Sequence, residues 1–287
     1  MTSSRLRQWL DLAPVRIAVV LICVVWTLPT VGMLISSFRS ANDIRTTGWW
    51  TVLAHPFEVS QWTMANYTQV LTADGMANAF INSLIITIPA TVIPITLAAF
   101  AAYAFAWMKF PGRDLLFAIV VGLLVVPLQM SLIPLLRLYT GLNLNGTFLG
   151  TWLAHTGFGL PLAIYLLYSY IAQLPRDLFE SAAIDGASHF TTFVRLVLPL
   201  SVPAIASFAI FQFLWVWNDL LVSLVFLGTS EEVIIVTARL TAMVGSKGEA
   251  WHLLTAGAFI TMLIPLTVFF ALQRYFVSGL LAGSVKG

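Results

Sequence analysis

Few side chains in this sequence have the type and spacing that chemistry needs. The four histidines, His55, His155, His189 and His252, lie far apart without metal-ligand spacing. The single cysteine, Cys23, sits in an apolar run. It excludes an intrachain disulfide or cysteine metal site and reads as a small packed hydrophobe. No G-x-x-x-x-G-K-[ST], H-E-x-x-H or G-x-S-x-G run occurs. Catalysis has no constellation to use, and no cofactor is expected. Two places remain. One is the charged stretch 179–203, FESAAIDGASHFTTFVRLVLPLSVP, between two greasy segments. The other is Asn218-Asp219, preceded by Phe211, Phe213, Trp215 and Trp217. Amides and carboxylates suit sugar hydroxyls, which both donate and accept, and the rings could pack on a sugar face. Gln129 and Gln212 are further candidates for such a pathway. The competing reading of these residues is polar helix packing, or for Asp219 a place near the outer interface.

The elements that must position these residues follow from composition. Of 287 residues, 59% are hydrophobic and 9% charged, against about 25% charged in soluble domains. This is the composition of a polytopic membrane protein. A net charge of +2 gives no basis for nucleic-acid binding. Spans need about 20 apolar residues. Six segments qualify: 15–38, 77–108, 115–136, 148–171, 202–227 and 254–275. The fold class expected is all-α, with six transmembrane helices and the first span retained rather than cleaved. Asp219 would be the only acidic residue well inside a span. Nine of the fourteen Lys and Arg residues fall on one side of these spans: Arg5, Arg7, Arg16, Lys109, Arg113, Arg176, Arg195, Arg274 and Lys286. The positive-inside rule then places both termini in the cytoplasm. The long outside loop 39–76 carries Trp49, Trp50, Trp62 and Tyr67, an expected interfacial belt. Every span contains or abuts a proline, which membrane helices tolerate when neighbours satisfy the freed carbonyls.

The charged stretch has a local logic. Pro175-Arg176-Asp177 reads as a helix start, with an acid facing the helix dipole. Glu180, Ala183, Ile184 and Ala187 share one helical face, small with a single carboxylate. Gly186 stops the helix or admits another backbone. A second short helix, 190–196, leads to Leu198-Pro199, where span five begins. Such a helix is shaped for a groove of another protein. The competing reading is an ordinary solvated loop.

The spacing Glu180-Ser181-Ala182, Gly186, Leu196-Val197-Leu198-Pro199 resembles the EAA motif of ABC importer permease subunits. Ser181 stands where the motif has alanine, and Leu196 where it has isoleucine. Asn82-Ser83-Leu84, Ala102-Tyr103-Ala104-Phe105, Phe158-Gly159-Leu160-Pro161, Trp217-Asn218-Asp219 and the tail from Gln273 are similar to its carbohydrate branch, above all the maltose-type second permease subunit. The resemblance implies a type I importer permease working by alternating access. Its implied partners are a second permease subunit forming a heterodimer, two ATPase subunits, an extracytoplasmic sugar-binding protein and the lipid bilayer. The implied substrate is a sugar, and the Gly48-Trp49-Trp50 run is similar to α-glucoside systems. Glu180, Ala182, Ala183, Asp185, Gly186, Leu198 and Pro199 would then form the ATPase-coupling element. The expected organisation is a cytoplasmic segment 1–14, a first helix 15–38, a loop 39–76, a five-helix permease core 77–275 with the coupling loop at about 172–200, and a cytoplasmic tail 276–287. The readings set against this are an ion-coupled secondary transporter, which would show paired buried charges and repeat symmetry, and a membrane enzyme.

Overall fold

Residues 13–246 and 250–282 are described by a computed structural model of the chain, and all of their regular elements are helical. The expectations resting on Arg5, Arg7, Lys247, Lys286 and the tail 283–287 lie outside the described residues. The helices are α1 (Ala13–Ser37), α2 (Ala41–Thr46), α3 (Ala65–Thr72), α4 (Met76–Trp107), α5 (Arg113–Leu123), α6 (Leu128–Gly141), α7 (Phe148–Ile171) and α8 (Arg176–Ile184). After them come α9 (His189–Trp217), α10 (Leu221–Phe226), α11 (Val236–Ser246) and α12 (Trp251–Ala282). Helices α1, α4, α9 and α12 are each long and apolar enough to cross a membrane. The bent pairs α5–α6 and α7–α8 bring the number to six if each is one span.

Two expectations change here. The third span, read as one run over 115–136, is broken between Leu123 and Leu128, and its halves meet at 102°. Pro127 supplies the cause: it has no N–H, and it disfavours helical geometry at Val126. The fifth span starts and ends earlier than 202–227. It is continuous from His189 to Trp217, passing Leu198-Pro199 by a π-turn over Phe193–Val197. The Leu198 N–H reaches back to the Phe193 carbonyl. This wider turn accommodates Pro199, which cannot donate to the Arg195 carbonyl. At the other end, α12 runs through Tyr275 to Ala282, so the expected tail 276–287 begins as helix.

The chain divides into two compact units, 1–76 with 240–260 and 77–239 with 261–287. In the first, the loop after α1 is tied to the helix end. Asn66 Nδ2 donates to the Ser37 and Arg39 carbonyls at 2.9 and 2.8 Å, and the Tyr67 and Ser37 hydroxyls lie 2.7 Å apart. Trp49 packs so closely over Gly32 that a Cβ there would lie 2.7 Å from the indole nitrogen. The loop's aromatics are therefore partly packing residues rather than a loose belt.

In the second unit, Ala98, Ala99 and Ala102 of α4 meet Ala163, Ile164 and Leu167 of α7 and Phe193, Val197 and Phe208 of α9. Small residues let helix backbones approach, which is how membrane helices gain contact where lipid already offers an apolar surround. A second cluster joins Leu132 and Tyr139 of α6, Ala154 of α7, and Val222 and Phe226 of α10. The sequon-like Asn145-Gly146-Thr147 is a turn and a helix cap: Gly146 has φ 76° and Thr147 Oγ1 accepts from the Gly150 N–H.

Three prolines of this unit free a carbonyl that has a specific partner. Pro89 frees the Ile85 carbonyl, which accepts from Trp152 Nε1 at 2.9 Å. Pro94 frees the Ala90 carbonyl, which accepts from Gln212 Nε2 at 3.0 Å. Pro265 frees the Thr261 carbonyl, which accepts from Trp217 Nε1 at 3.1 Å. The Ile171 carbonyl, at the end of α7, accepts from the Leu174 N–H at 3.3 Å and from Trp107 Nε1 at 3.0 Å. Three proline-freed carbonyls thus each bind a side-chain N–H from another helix, as a medium without water requires.

Candidate functional site

The charged stretch forms a short helix with both ends defined. Pro175 precedes α8, and Asp177 lies in its first turn, where a carboxylate complements the dipole. At the far end the Gly186 N–H donates to the Ala183 carbonyl at 3.1 Å and the Ala187 N–H to the Ala182 carbonyl at 2.9 Å. With Asp185 as cap and Gly186 at φ 72°, this is a complete Schellman ending. Gly186 serves the turn itself, since a Cβ there would meet open space within this chain. Ser188 then caps α9, its Oγ accepting from the Thr191 N–H at 3.2 Å.

One side of α8 packs and the other does not. Phe179 stacks on Trp107 at the end of α4, with centroids 3.5 Å apart and planes 15° apart. The same indole holds the Ile171 carbonyl at the end of α7. Tyr103 Oη lies 3.0 Å from His189 Nδ1 at the start of α9. Phe179 thus stacks on the end of α4, and through Trp107 and Tyr103 that end is tied to the end of α7 and the start of α9. The opposite face, Asp177, Glu180, Ala183 and Ile184, is exposed, Ile184 by 87%. Ala182 and Leu198 are half-buried, and Asp185 and Pro199 are exposed. Among the described residues Glu180, Asp177 and Asp185 make no side-chain ion pair. A free acidic face with one large apolar side chain remains.

Asn218 and Asp219 are placed differently from the sequence expectation. Asp219 is not inside a helix but in the break between α9 and α10. Its carboxylate accepts from the Val222 N–H at 3.2 Å, the Ser223 N–H at 2.9 Å and Ser223 Oγ at 3.1 Å. From the position before the N-cap Leu220 it satisfies N–H groups of the first turn of α10, a capping role its residue type favours. Thr237 Oγ1 donates to the Asp219 carbonyl at 2.6 Å. Asn218 is exposed and returns its amide to the Leu214 carbonyl at 2.8 Å. Of the four aromatics, Phe213 and Trp217 are buried and stacked on each other, while Phe211 and Trp215 are exposed. His155 of α7, which is fully buried, lies with Nε2 3.7 Å from Asp219 Oδ2 and edge-on to Trp215. Neither ring nitrogen has a hydrogen-bond partner. In the sequence His155 is one of four scattered histidines without metal-ligand spacing. The residues that unite it with Asp219 are 64 positions apart and carry no shared motif.

The two glutamines separate. Gln129 is exposed in the first turn of α6, just past the bend. Gln212 is buried between α4 and α7, bonded to Ala90, and fills the space left by Gly159, where a Cβ would lie 2.6 Å from its Oε1. Two residues of the Asn82-Ser83-Leu84 stretch are tethers. Asn82 Nδ2 donates to the Glu232 and Ile234 carbonyls at 2.9 and 3.0 Å, and Ser83 Oγ accepts from the Val236 N–H at the start of α11. Nearby, the exposed Glu231 carboxyl is held below its usual range by its hydrogen bond to Arg239. Among the described residues no group of three His, Cys, Asp or Glu side chains could hold a metal ion.

Residues 79–281 match the family model described as a binding-protein-dependent transport system inner membrane component. The osmoprotective compounds uptake permease protein GgtD of Synechocystis is 62% identical over 99% of this chain and 95% of its own length. The alpha-glucoside transport system permease protein AglG of Rhizobium meliloti is 46% identical over 95% of this chain and 97% of its own. A crystal structure of a bacterial ABC transporter that imports alginate superposes with a TM-score of 0.73 at 18% identity, covering 96% of this chain and 98% of that one. That likeness is one of fold.

Proposed function

The chain belongs to the family of binding-protein-dependent transport system inner membrane components, and from that premise we propose that it carries a sugar across the cytoplasmic membrane under the drive of partner ATPases. It is the permease, a transport component. The observation that carries the coupling role is α8. Its acidic face with Ile184 is free, while its other face is stacked on Trp107. A helix built this way receives force from a partner and passes it to the ends of α4, α7 and α9. Glu180 forms an ion pair in a groove of one ATPase subunit. Ala182 and Ala183 keep the helix slim, and Asp185 and Gly186 end it. The π-turn before Leu198-Pro199 is the place where the motion enters α9.

A second permease subunit and a substrate-binding protein on the outer face complete the assembly, with both termini in the cytoplasm. The pathway passes the α9–α10 break, where Asn218 is exposed, and the α5–α6 bend, where Gln129 is exposed. Asp219 holds the break in shape, and Gln212 holds α4 to α9. The names of the two relatives support a small α-glucoside with an osmoprotective role as substrate. The test is Glu180→Ala in the assembled transporter. It should lose uptake and weaken ATPase association while still reaching the membrane. Normal uptake with normal ATPase association would remove the coupling role.

A further inference from the structure

Just beyond α1 the chain buries a charge that the described residues do not compensate. Arg39 is 3% exposed. Its Nη1 donates to the Gly48 carbonyl at 2.9 Å, and its Nη2 donates to Thr47 Oγ1 at 2.7 Å and to Thr51 Oγ1 at 3.4 Å. All three acceptors are neutral. Nε is buried and bonded to nothing, and among the described residues no carboxylate pairs with Arg39. The guanidinium cannot shed its proton as a lysine could. The negative end of the α1 dipole is close and offsets part of the burial cost, but it is not a counter-ion.

Arg39 is among the residues lining a cavity of about 370 Å³. Its other walls include Gly32 and Ser36 from the last turns of α1, with Trp49, Trp50 and Trp251. All of these belong to the first compact unit. Trp49 is fixed by its seat over Gly32, whereas Trp50 is 62% exposed. Helix α1 buries only 6% of its most apolar stretch, so its flank faces lipid. The cavity therefore opens where a lipid-facing helix ends, the level at which tryptophans and headgroups gather.

We propose that this cavity binds the phosphate of a phospholipid headgroup. The phosphate, lying in the cavity beside Arg39, supplies the missing counter-charge, a charge-assisted pairing for which guanidinium is well suited. The tryptophans pack on the glycerol portion. The bilayer is the source because the cavity's α1 wall runs from the packed Gly32 and Ser36 to Pro29 and Met33, which are exposed on the apolar surface of that helix. A neutral sugar could use the rings but would leave the charge uncompensated.

Native mass spectrometry tests this on the full-length chain, purified in mild detergent with its co-purifying subunits and stripped of lipid. Phosphatidylglycerol, inorganic phosphate and a neutral disaccharide are titrated separately. The wild type should take up a phosphatidylglycerol that Arg39→Gln binds at least about tenfold more weakly, the loss of one charge-assisted bond. Trp50→Ala, at an exposed position, should also bind it more weakly and keeps the test intact if Arg39→Gln fails to assemble. Equal lipid uptake by all three proteins, or displacement of the lipid by the disaccharide, would overturn the site. Arg39-dependent binding of inorganic phosphate without any of lipid would overturn the lipid assignment.

Discussion

Replacing Gln212 by leucine isolates one of the proline tethers. Gln212 Nε2 donates to the Ala90 carbonyl at 3.0 Å, and Pro94 removes the donor that the helix itself would supply. Leucine keeps the volume and leaves that carbonyl orphaned. An unsatisfied buried polar group costs about 1–3 kcal/mol, and interhelical hydrogen bonds in membranes measure about 0.6, reaching about 1.7 kcal/mol. Gln212→Leu should therefore cost about 1–2 kcal/mol, near a tenfold change in the folding equilibrium. Pro94→Ala restores an N–H to the Ala90 carbonyl. Alone it should change stability little; in the Gln212→Leu background it should recover about 1 kcal/mol, within the coupling range of contacting residues. The assay is a double-mutant cycle of equilibrium unfolding in mixed micelles, followed by helical circular dichroism. If the two changes add to within about 0.3 kcal/mol, the tether does not act as described.

Gly159→Ala should displace the Gln212 amide, since the new Cβ would lie 2.6 Å from Oε1, and Gln212→Ala should relieve that loss in the same unfolding assay. Gly186→Ala forces φ 72° on a residue with a Cβ. It should destabilise the end of α8 by about 1 kcal/mol, and lower ATPase association on co-purification, with Gly186→Asn retaining more. Trp107→Ala removes both the Phe179 stack and the Ile171 bond; ATP hydrolysis should persist while uptake falls, measured together in proteoliposomes. Asp219→Ala removes the cap of α10 and should cost about 0.5–2 kcal/mol. His155→Phe, which keeps a ring of similar shape without its unpartnered nitrogens, should be better tolerated in the same unfolding assay.

What the sequence revealed is what lies close along the chain. The α8 ending could be read because Ala182, Ala183, Gly186 and Ala187 sit within six consecutive residues. Hydropathy placed α1, α4, α7 and α12 because each is a long apolar run. It could not see the break at Pro127, because the bend lies between two runs that are equally apolar. It also placed the fifth span late, because Arg195 and the threonines of α9 lower hydropathy without interrupting the helix. The prolines were visible, but their partners were not. Trp152 meets Ile85 and Gln212 meets Ala90 across separations of 67 and 122 residues. For the same reason Asp219 resembled a lone charge in a span, whereas the fold makes it a helix cap beside His155.

The most direct test of the coupling account is uptake of a labelled α-glucoside by proteoliposomes holding the transporter assembled from this chain, its partner permease and the ATPases, with binding protein supplied outside. The account predicts uptake that requires ATP at the ATPase side, is unaffected by collapsing ion gradients, and is lost in Glu180→Ala although the complex's ATPase subunits remain competent to bind nucleotide. Uptake driven by a proton or sodium gradient without ATP, or full ATP-driven uptake by Glu180→Ala, would contradict it.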